Sequence, residues 1–242
     1  MISFVVPAYN EERDLSATLR AIHGAGSLTG EPYEVVVADD ASTDQTAEVA
    51  TAHGTSVVRV AHRQISATRN AGARATGGNL LVFVDVDTLV TPAVVLGALR
   101  AVRRGAVDGG CGFRFDGHVP VYARVLLPFV LGAYRVLGLA SVCFLFCTRP
   151  AFDAVGGFDE DVLADEEAWM SRALARVGRF VVLRERVVTS ERKLRTYSPG
   201  ELLRAIRTGT TRRRSASDDR TCLELWYGER RPDPTPRTPS PR

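Results

Sequence analysis

Two aspartates stand two residues apart at the end of an apolar run, in the sequence LLVFVDVDTLVTP at 80–92. In an extended strand, residues i and i+2 point to the same face, so Asp85 and Asp87 converge if the extended conformation continues through Val86. Two carboxylates suit Mg²⁺ or Mn²⁺, ions that commonly complete their shell with water and substrate phosphates. Acids also end strands where the chain reaches water, so the pair indicates a metal site only if its context supports one.

A second group of acids, Asp165, Glu166 and Glu167, lies in the sequence ADEEAWMSRAL. A positioned carboxylate can take the proton of a hydroxyl nucleophile in the transition state, which is general-base chemistry. The alternative is that these acids only favour the N-terminus of a helix through its dipole.

The elements that must position these acids alternate between strand and helix through residue 104. Ser42 and Gln45 predict a capping box for the second helix, and Thr91 followed by Pro92 predicts the start of the fourth. This alternation is typical of βαβ units around a parallel sheet. The expected strands are 2–6, 33–38, 56–60 and 80–84.

Each expected strand is followed by a polar cluster: PAYNEE, DDAST, HRQIS and DVD, in that order. Ligands of parallel α/β sheets bind outside the carboxyl ends of the strands. We therefore expect these clusters to share one edge of the sheet and to form a binding site there.

The second half of the chain is less regular. Its glycine-rich sequence at 108–117 predicts a strand with close backbone approach. The apolar stretch 119–147 is interrupted by Arg124 and Arg135, which argues against a membrane-spanning helix. We expect a buried or interfacial helix there, followed by a strand at 141–146, and this leaves peripheral membrane contact open.

Composition narrows the class of protein. The net charge of +3 comes almost wholly from arginine, with Lys193 as the single lysine, so we expect no nucleic-acid partner. The first apolar run is short and meets acids at once, so we expect no signal peptide and a cytoplasmic protein, with contact at the inner face of the cell membrane left open. Free buried thiols are expected, because no paired spacing relates Cys111, Cys143, Cys147 and Cys222.

Four motifs in one order resemble family 2 glycosyltransferases with the GT-A fold: FVVPAYNEE, VVVADDASTDQT, SATRNAGARATGGNLLVFVDVDTLVTP and VGGFDEDVLADEEAWMSRALARVG. The resemblance implies an α/β domain of the GT-A type at 1–197, with a mostly parallel, Rossmann-like sheet flanked by helices. Its nucleotide-sugar-binding half would be 1–104 and its acceptor-side half 105–197. Composition predicts a helical extension at 198–229 and a disordered, proline-rich tail at 230–242.

The resemblance also implies roles at the donor. Asp40, or its neighbour Asp39, would accept from the N3–H of the base, and Arg69 and Asn70 would reach the ribose or diphosphate. Tyr9 could instead be a packed loop aromatic, Asp39 a turn cap and Arg69 an ordinary exposed arginine. The remaining implied donor contacts are Pro7, Ala8, Tyr9 and Glu11 at the nucleoside, Asp85, Val86 and Asp87 at the ribose and cation, and Thr189, Ser190, Arg192 and Lys193 at the diphosphate.

On the acceptor side the resemblance implies Glu167 as the base, beside Glu166. Glutamate stands where the family usually has aspartate, which makes Asp165 a rival. Gly157, Phe158 and Trp169 are implied near the acceptor, although Trp169 is equally well explained as a core residue.

The expected function is transfer of a sugar from a nucleotide-sugar, UDP first and GDP second, with inversion and with Mn²⁺ or Mg²⁺. The acceptor would be a hydroxyl of a sugar, lipid or small molecule. A polyprenyl-phosphate acceptor, which would need no base, and a catalytically decayed nucleotide-sugar binder remain alternatives. A nucleotidyltransferase is disfavoured, because the PAYNEERD loop is acidic rather than glycine-rich and basic.

Overall fold

The computed structural model describes residues 1–117, 143–162 and 166–190 of the 242-residue chain. The strands of these ranges are β1 (Ile2–Ala8), β2 (Tyr33–Asp40), β3 (Ser56–Val60), β4 (Leu80–Val84), β5 (Thr88–Leu89), β6 (Ala106–Phe115), β7 (Phe144–Thr148) and β8 (Arg179–Thr189). The helices are α1 (Glu12–Ser27), α2 (Thr46–Ala52), α3 (Ile65–Arg74), α4 (Pro92–Arg103), α5 (Arg149–Val155) and α6 (Glu166–Leu174).

The strands form one mixed sheet in the order β3-β2-β1-β4-β7-β6-β8-β5. The first four strands pair in parallel, which confirms the βαβ alternation expected from the sequence. Strand β7 runs antiparallel between β4 and β6, and β5 runs antiparallel to β8. Because β2 and β4 flank β1 on opposite sides, the carboxyl end of β1 is a topological switch point, where such sheets bind ligands.

Two hydrophobic cores cover the two faces of this sheet. One core packs α1 and α4 against side chains such as Phe4 and Phe146, and the other packs α3, α5 and α6 against side chains such as Val5 and Leu81. Helix α3 lies close to the sheet, because a Cβ added at Gly72 would be 2.5 Å from Cγ1 of Val5. This close packing fixes α3 against the central strand.

The helix starts agree with the sequence at one position and differ at another. Thr91 caps α4 as predicted, accepting from the backbone N–H of Val94, with Pro92 in the first turn. The capping box predicted at Ser42 is wrong, because α2 begins at Thr46. The Ser42 hydroxyl instead accepts from the backbone N–H of Asn10 at 2.9 Å, so it links two loops rather than capping a helix.

The expectations for the second half are met only in part. The glycine-rich strand is present as β6, and the strand expected at 141–146 is β7, at Phe144–Thr148. The helix expected before β7 and the C-terminal extension and tail lie outside the described residues. None of the helices within 1–117, 143–162 and 166–190 combines the length and hydrophobicity that crossing a membrane requires. Cys111, Cys143 and Cys147 are buried free thiols, as predicted, and burial raises the pKa of each.

One carboxylate of β6 is buried without a hydrogen-bond partner among the described residues. Asp108 is fully buried, and neither of its carboxylate oxygens has a hydrogen-bond partner among the residues that the structure describes. Burial raises the pKa of Asp108 from its usual 3.8 to about 7. The folded state therefore binds this proton more tightly than the unfolded chain, and the stability it contributes is lost as the pH rises through about 7.

Asp108→Asn should stabilise the protein more at pH 8 than at pH 5, because the amide carries no charge to desolvate. The gain over wild type should grow by about 1–3 kcal/mol between these pH values, since one pKa unit corresponds to about 1.4 kcal/mol. Urea unfolding at both pH values measures this difference. The exposed Asp161→Asn is the control and should show little pH-dependent change; an equal effect of Asp108→Asn at both pH values would contradict the assignment.

Candidate active site

The loops that follow the first three strands are held in unusual backbone conformations. Asn10, Ala41 and Arg63, one in each loop, have positive φ angles of 51°, 59° and 49°. Such angles are uncommon outside glycine and persist where surrounding contacts impose them. One such contact is the Asn10 side chain, which accepts from the backbone N–H of Thr43 at 2.8 Å. The polar clusters that follow β1 and β2 are therefore directly connected.

The two aspartates at the end of β2 have different environments. Asp40 accepts four hydrogen bonds, from the backbone N–H groups of His62, Arg63 and Gln64 and from the hydroxyl of Thr68. It therefore organises the loop between β3 and α3. Oδ1 of Asp39 accepts from the backbone N–H of Ser42 at 3.1 Å, and its Oδ2 has no such bond among the described residues. Of the two aspartates, Asp39 is the one with an oxygen left for a ligand.

Tyr9 lies at the same edge and is half-buried. The guanidinium carbon of Arg63 is 3.6 Å from the centroid of its ring, which is a cation–π contact. Arg63 belongs to the polar cluster HRQIS, and nothing local in the sequence indicates Tyr9 as its partner. The other expected nucleoside contacts, Pro7, Ala8 and Glu11, are buried at or just beyond the end of β1.

The Asp85–Asp87 segment forms a turn. Strand β4 ends at Val84, and the backbone N–H of Thr88 donates to the carbonyl of Asp85 at 3.0 Å. The expectation that the extended conformation would continue through Val86 is therefore wrong. Val86 is buried, and its carbonyl accepts from the hydroxyl of Thr18 at 2.6 Å. Asp85 and Asp87 each remain partly exposed at the edge of the sheet.

The carboxylates of Asp85 and Asp87 suit a divalent cation that is bound by the protein and by a substrate at the same time. Both are hard oxygen donors open to solvent, which suits Mg²⁺ or Mn²⁺. Across the described ranges no group of three histidine, cysteine or acidic side chains is arranged to hold a metal by itself. Water and substrate phosphates are oxygen ligands with which Mg²⁺ commonly completes its shell.

A buried guanidinium joins this turn to the acids of α6. Arg69, on α3, is 2% exposed. Its Nη2 lies 2.7 Å from Oδ1 of Asp85 and 2.6 Å from Oε1 of Glu167, and its Nη1 lies 2.9 Å from Oε1 of Glu166. Glu166 and Glu167 are each 4% exposed. Three carboxylates from two distant parts of the sequence thus meet at one guanidinium.

The charges in this cluster shift its pKa values strongly. Burial raises the pKa of Glu167 well above its usual value; Arg69 counteracts this, while Glu166 and Asp85 raise it further. Burial alone would lower the pKa of Arg69, but the charges of Glu167, Asp85 and Glu166 outweigh it and the net pKa is raised. Arg69 therefore stays charged, and an ionised Glu167 is a stronger base than an ordinary glutamate.

Several residues expected to touch ligands make structural contacts. The Asn70 side chain bonds to the backbone of Phe158 and to Glu160, which leaves neither amide N–H for the ribose or diphosphate expected from the sequence. Phe158, expected near the acceptor, is buried in the core, with its ring centroid 4.9 Å from that of Phe83. Gly157 lies directly beside Asn70.

The other expected site residues differ in burial, and three of them lie outside the described part of the chain. Trp169 is half-buried, with the Arg172 guanidinium 5.8 Å from its ring centroid, so both interpretations of this residue stay open. Thr189 and Ser190 are buried, and Thr189 accepts from the Thr88 hydroxyl at 3.1 Å, next to Asp87. Asp165, Arg192 and Lys193 lie outside the described residues.

An α/β sheet with these groups at its carboxyl edge is typical of nucleotide-binding enzymes. The family model described as glycosyl transferase family 2 matches residues 3–147. The chain belongs to this family, as the motifs indicated, and its fold is of the GT-A type.

Curated relatives match the N-terminal part of the chain. It is 31% identical over 129 residues to validoxylamine A glucosyltransferase of Streptomyces hygroscopicus subsp. limoneus, a match covering 50% of this chain and 28% of that protein. It is 30% identical over 112 residues to undecaprenyl-phosphate 4-deoxy-4-formamido-L-arabinose transferase of Serratia proteamaculans, covering 43% of this chain and 34% of the relative. The chain thus spans about a third of the length of these relatives.

Solved structures share the fold over most of the chain. The mannosyltransferase PcManGT from Pyrobaculum calidifontis, in complex with GDP-Man and Mn²⁺, superposes with a TM-score of 0.67 and 18% identity, covering 93% of this chain and 68% of the other. Glucosyl-3-phosphoglycerate synthase from Mycobacterium tuberculosis, in complex with Mn²⁺, UDP and glucosyl-3-phosphoglycerate, gives a TM-score of 0.59 and 20% identity, covering 85% and 75%.

Arg69→Ala should destabilise the protein by about 3–5 kcal/mol, because it leaves buried carboxylates without their cation. The loss should be smaller at pH 5 than at pH 8, since protonation relieves the repulsion among these acids. Urea unfolding at the two pH values measures both effects.

Arg103→Ala is the matched control for this prediction. Arg103 also forms a short ion pair, 2.6 Å from Glu31, but the two side chains are 65% and 34% exposed. Removing an exposed pair of this kind should cost under about 1 kcal/mol. If both variants lost a similar free energy of unfolding, the buried Arg69 cluster would contribute no more to stability than an exposed ion pair.

Proposed function

We propose that this domain transfers a sugar from a nucleotide-sugar to an acceptor hydroxyl by single displacement with inversion, with Mn²⁺ or Mg²⁺ at the diphosphate. The observation that carries the proposal is the shared contact of Arg69 with Asp85 and Glu167. It brings the candidate cation ligand and the candidate base to the same nitrogen, Nη2, of one guanidinium. A donor diphosphate and an acceptor hydroxyl could therefore react beside each other there.

Asp39 is the proposed recognition residue for the base of the donor. Its Oδ2 can accept from an imide N–H, which uracil presents at N3, while Oδ1 stays bound to the backbone N–H of Ser42. Tyr9, backed by Arg63, offers an aromatic wall at the same edge. UDP-sugars are the first candidates and GDP-sugars the second, and structures of proteins with this fold contain UDP in one case and GDP-Man in the other.

Asp85 and Asp87 are the residues that would hold the cation. A divalent ion there supplies charge neutralisation for the departing nucleoside diphosphate. Arg69 donates to Oδ1 of Asp85 at 2.7 Å, which would fix the orientation of this carboxylate as it binds the cation.

Glu167 is the proposed general base. Its Oε1 is bound by Arg69, and its Oε2 is buried without a hydrogen-bond partner among the described residues. That oxygen can take the proton of the acceptor hydroxyl as the new glycosidic bond forms and the bond between the anomeric carbon and the diphosphate oxygen breaks. The raised pKa of Glu167 suits this role, because a hydroxyl proton passes more easily to a stronger base.

A phosphate acceptor is the second candidate. One curated relative is an undecaprenyl-phosphate transferase, and a phosphate oxygen is already ionised, so it needs no base. The buried Glu167, held by Arg69, supports the hydroxyl acceptor instead, and also speaks against a decayed binder.

Asp87→Ala should abolish Mn²⁺-dependent turnover, and Glu167→Gln should lower it by about 10²- to 10⁴-fold without weakening donor binding. The measurement is release of nucleoside diphosphate from UDP-GlcNAc or GDP-Man, with and without acceptors. Exposed Glu48→Gln serves as the control and should retain full turnover. Normal turnover of Glu167→Gln with a hydroxyl acceptor would rule out Glu167 as the base. Turnover of this variant with undecaprenyl phosphate but with no hydroxyl acceptor would favour the phosphate acceptor.

Asp39→Ala should reduce UDP affinity by roughly 10-fold or more while leaving the thermal unfolding temperature close to that of wild type, because it removes about one hydrogen bond to a charged group. Asp40→Ala should instead lower the unfolding temperature, since four hydrogen bonds converge on that carboxylate. Calorimetric titration of UDP, GDP and CMP with and without Mn²⁺ measures the affinities. Metal-independent binding of all three would contradict the proposed donor site.

A further inference from the structure

Helix α3 contacts the N-terminus of α6 through Arg69, and it is also hydrogen-bonded to the segment that leads into α6. Two side-chain amides make this second contact: Gln64 at the start of α3 and Asn70 beside Arg69. Both bond to the segment Phe158–Val162, here called the entry loop. The proposed chemistry uses neither amide.

The side-chain amide of Asn70 exchanges two hydrogen bonds with the backbone of the entry loop, as a residue of a neighbouring strand would. Its Oδ1 accepts from the backbone N–H of Phe158 at 2.9 Å, and its Nδ2 donates to the carbonyl of the same residue at 2.9 Å. The second N–H of the amide donates to Oε1 of Glu160, also at 2.9 Å. Because Asn70 is 3% exposed, water offers little replacement for these bonds.

Gly157 is what allows this approach. A Cβ at this position would be 2.6 Å from Oδ1 of Asn70, and its φ of +82° is one that other residues rarely adopt. A side chain here would push the entry loop away from α3. The glycine is therefore part of the same contact.

Gln64 has two functions in one side chain. Its Oε1 accepts from the backbone N–H of Ala67 and caps α3, although shorter polar residues usually hold this position. Its Nε2 donates to the carbonyls of Glu160 at 3.2 Å and Val162 at 3.0 Å. The longer side chain can cap the helix and still reach the entry loop.

We infer that Gln64 and Asn70 are positioning residues for the proposed glycosyl transfer, which set where Glu167 lies relative to Arg69 and Asp85. The inference rests on the proposed function. Val162 is only four residues before Glu166, and such a stretch spans at most about 14 Å even when fully extended. Holding Val162 on α3 therefore restricts the position of the N-terminus of α6, which carries the base.

A positioning role and a merely stabilising role differ in their effect on kinetics. Displacement of a reacting group by about 1 Å can cost on the order of 10²-fold in rate without affecting substrate binding. Loosening the entry loop should therefore lower kcat and leave the donor Kd unchanged. General loss of stability should affect neither quantity at a temperature where the protein is fully folded.

The test compares Asn70→Ala and Gln64→Glu with wild type. Gln64→Glu keeps the oxygen that caps α3 but replaces the N–H donors to the entry loop, so it perturbs the contact while sparing the helix. Both variants should lower kcat for the donor that wild type uses by about 10- to 100-fold, with donor Kd within about 2-fold. Amide exchange should become faster in 158–162 and 166–174 and stay unchanged in α1.

Glu34→Ala is the matched control. Oε1 of Glu34 accepts three hydrogen bonds, from the Ser3 hydroxyl and from the backbone N–H groups of Gly77 and Gly78, beyond the other end of α3. Asn70→Ala also removes three hydrogen bonds, so the variants are similar in what they lose. Glu34→Ala should keep kcat within about 2-fold of wild type.

Unchanged kcat in both folded variants would overturn the inference, as would a parallel loss of donor affinity or an equal loss in Glu34→Ala. If Asn70→Ala does not fold, the kinetics of Gln64→Glu decide. An active wild type with unaffected variants would refute the positioning role alone. A wild type without turnover of any donor would overturn the proposed function, and the positioning role with it.

Discussion

The site depends on one electrostatic constraint, the burial of a single guanidinium among three carboxylates. Arg69 can stay charged at 2% exposure because Asp85, Glu166 and Glu167 surround it, and its charge in turn opposes the burial that raises the pKa of Glu167. The constraint acts on backbone as well as side chains. It requires α3 to lie against the central strand, where Gly72 permits contact with Val5, and it requires α6 to begin beside the end of β4.

Much of the fold could be predicted from local sequence patterns. The alternation of apolar runs and capped helices predicted the parallel half of the sheet, and the rule that ligands bind at carboxyl strand ends predicted which edge carries the polar side chains. Both inferences depend on periodicity and on short-range signals such as Thr91 followed by Pro92. Such signals involve only residues that are close together in the sequence.

The partners of individual side chains could not be predicted in the same way. Arg69 and Glu166 are 97 residues apart, and no local pattern indicates that they meet. The polar residues 39–42 are ambiguous for a related reason, because an acid or a hydroxyl at a strand end can cap a helix, bind a neighbouring loop or bind a ligand. Asp40 and Ser42 bind neighbouring loops, and this leaves Asp39 with the free oxygen. Competition among these roles is decided by tertiary packing.

The charge of the cluster bears on how a nucleotide-sugar could enter it. Three acids surround one buried arginine and Asp87 lies two residues from Asp85, so this edge carries excess negative charge when all four acids are ionised. A diphosphate brings more negative charge to the same place, and an isolated pair of like charges in a partly buried site is strongly unfavourable. Asp85 and Asp87 would hold a divalent cation that offsets this charge, whereas the charge of Arg69 is already shared among three carboxylates. Under the proposed function, the arginine that contacts Glu167 would therefore leave the charge of the donor diphosphate to a second, exchangeable cation.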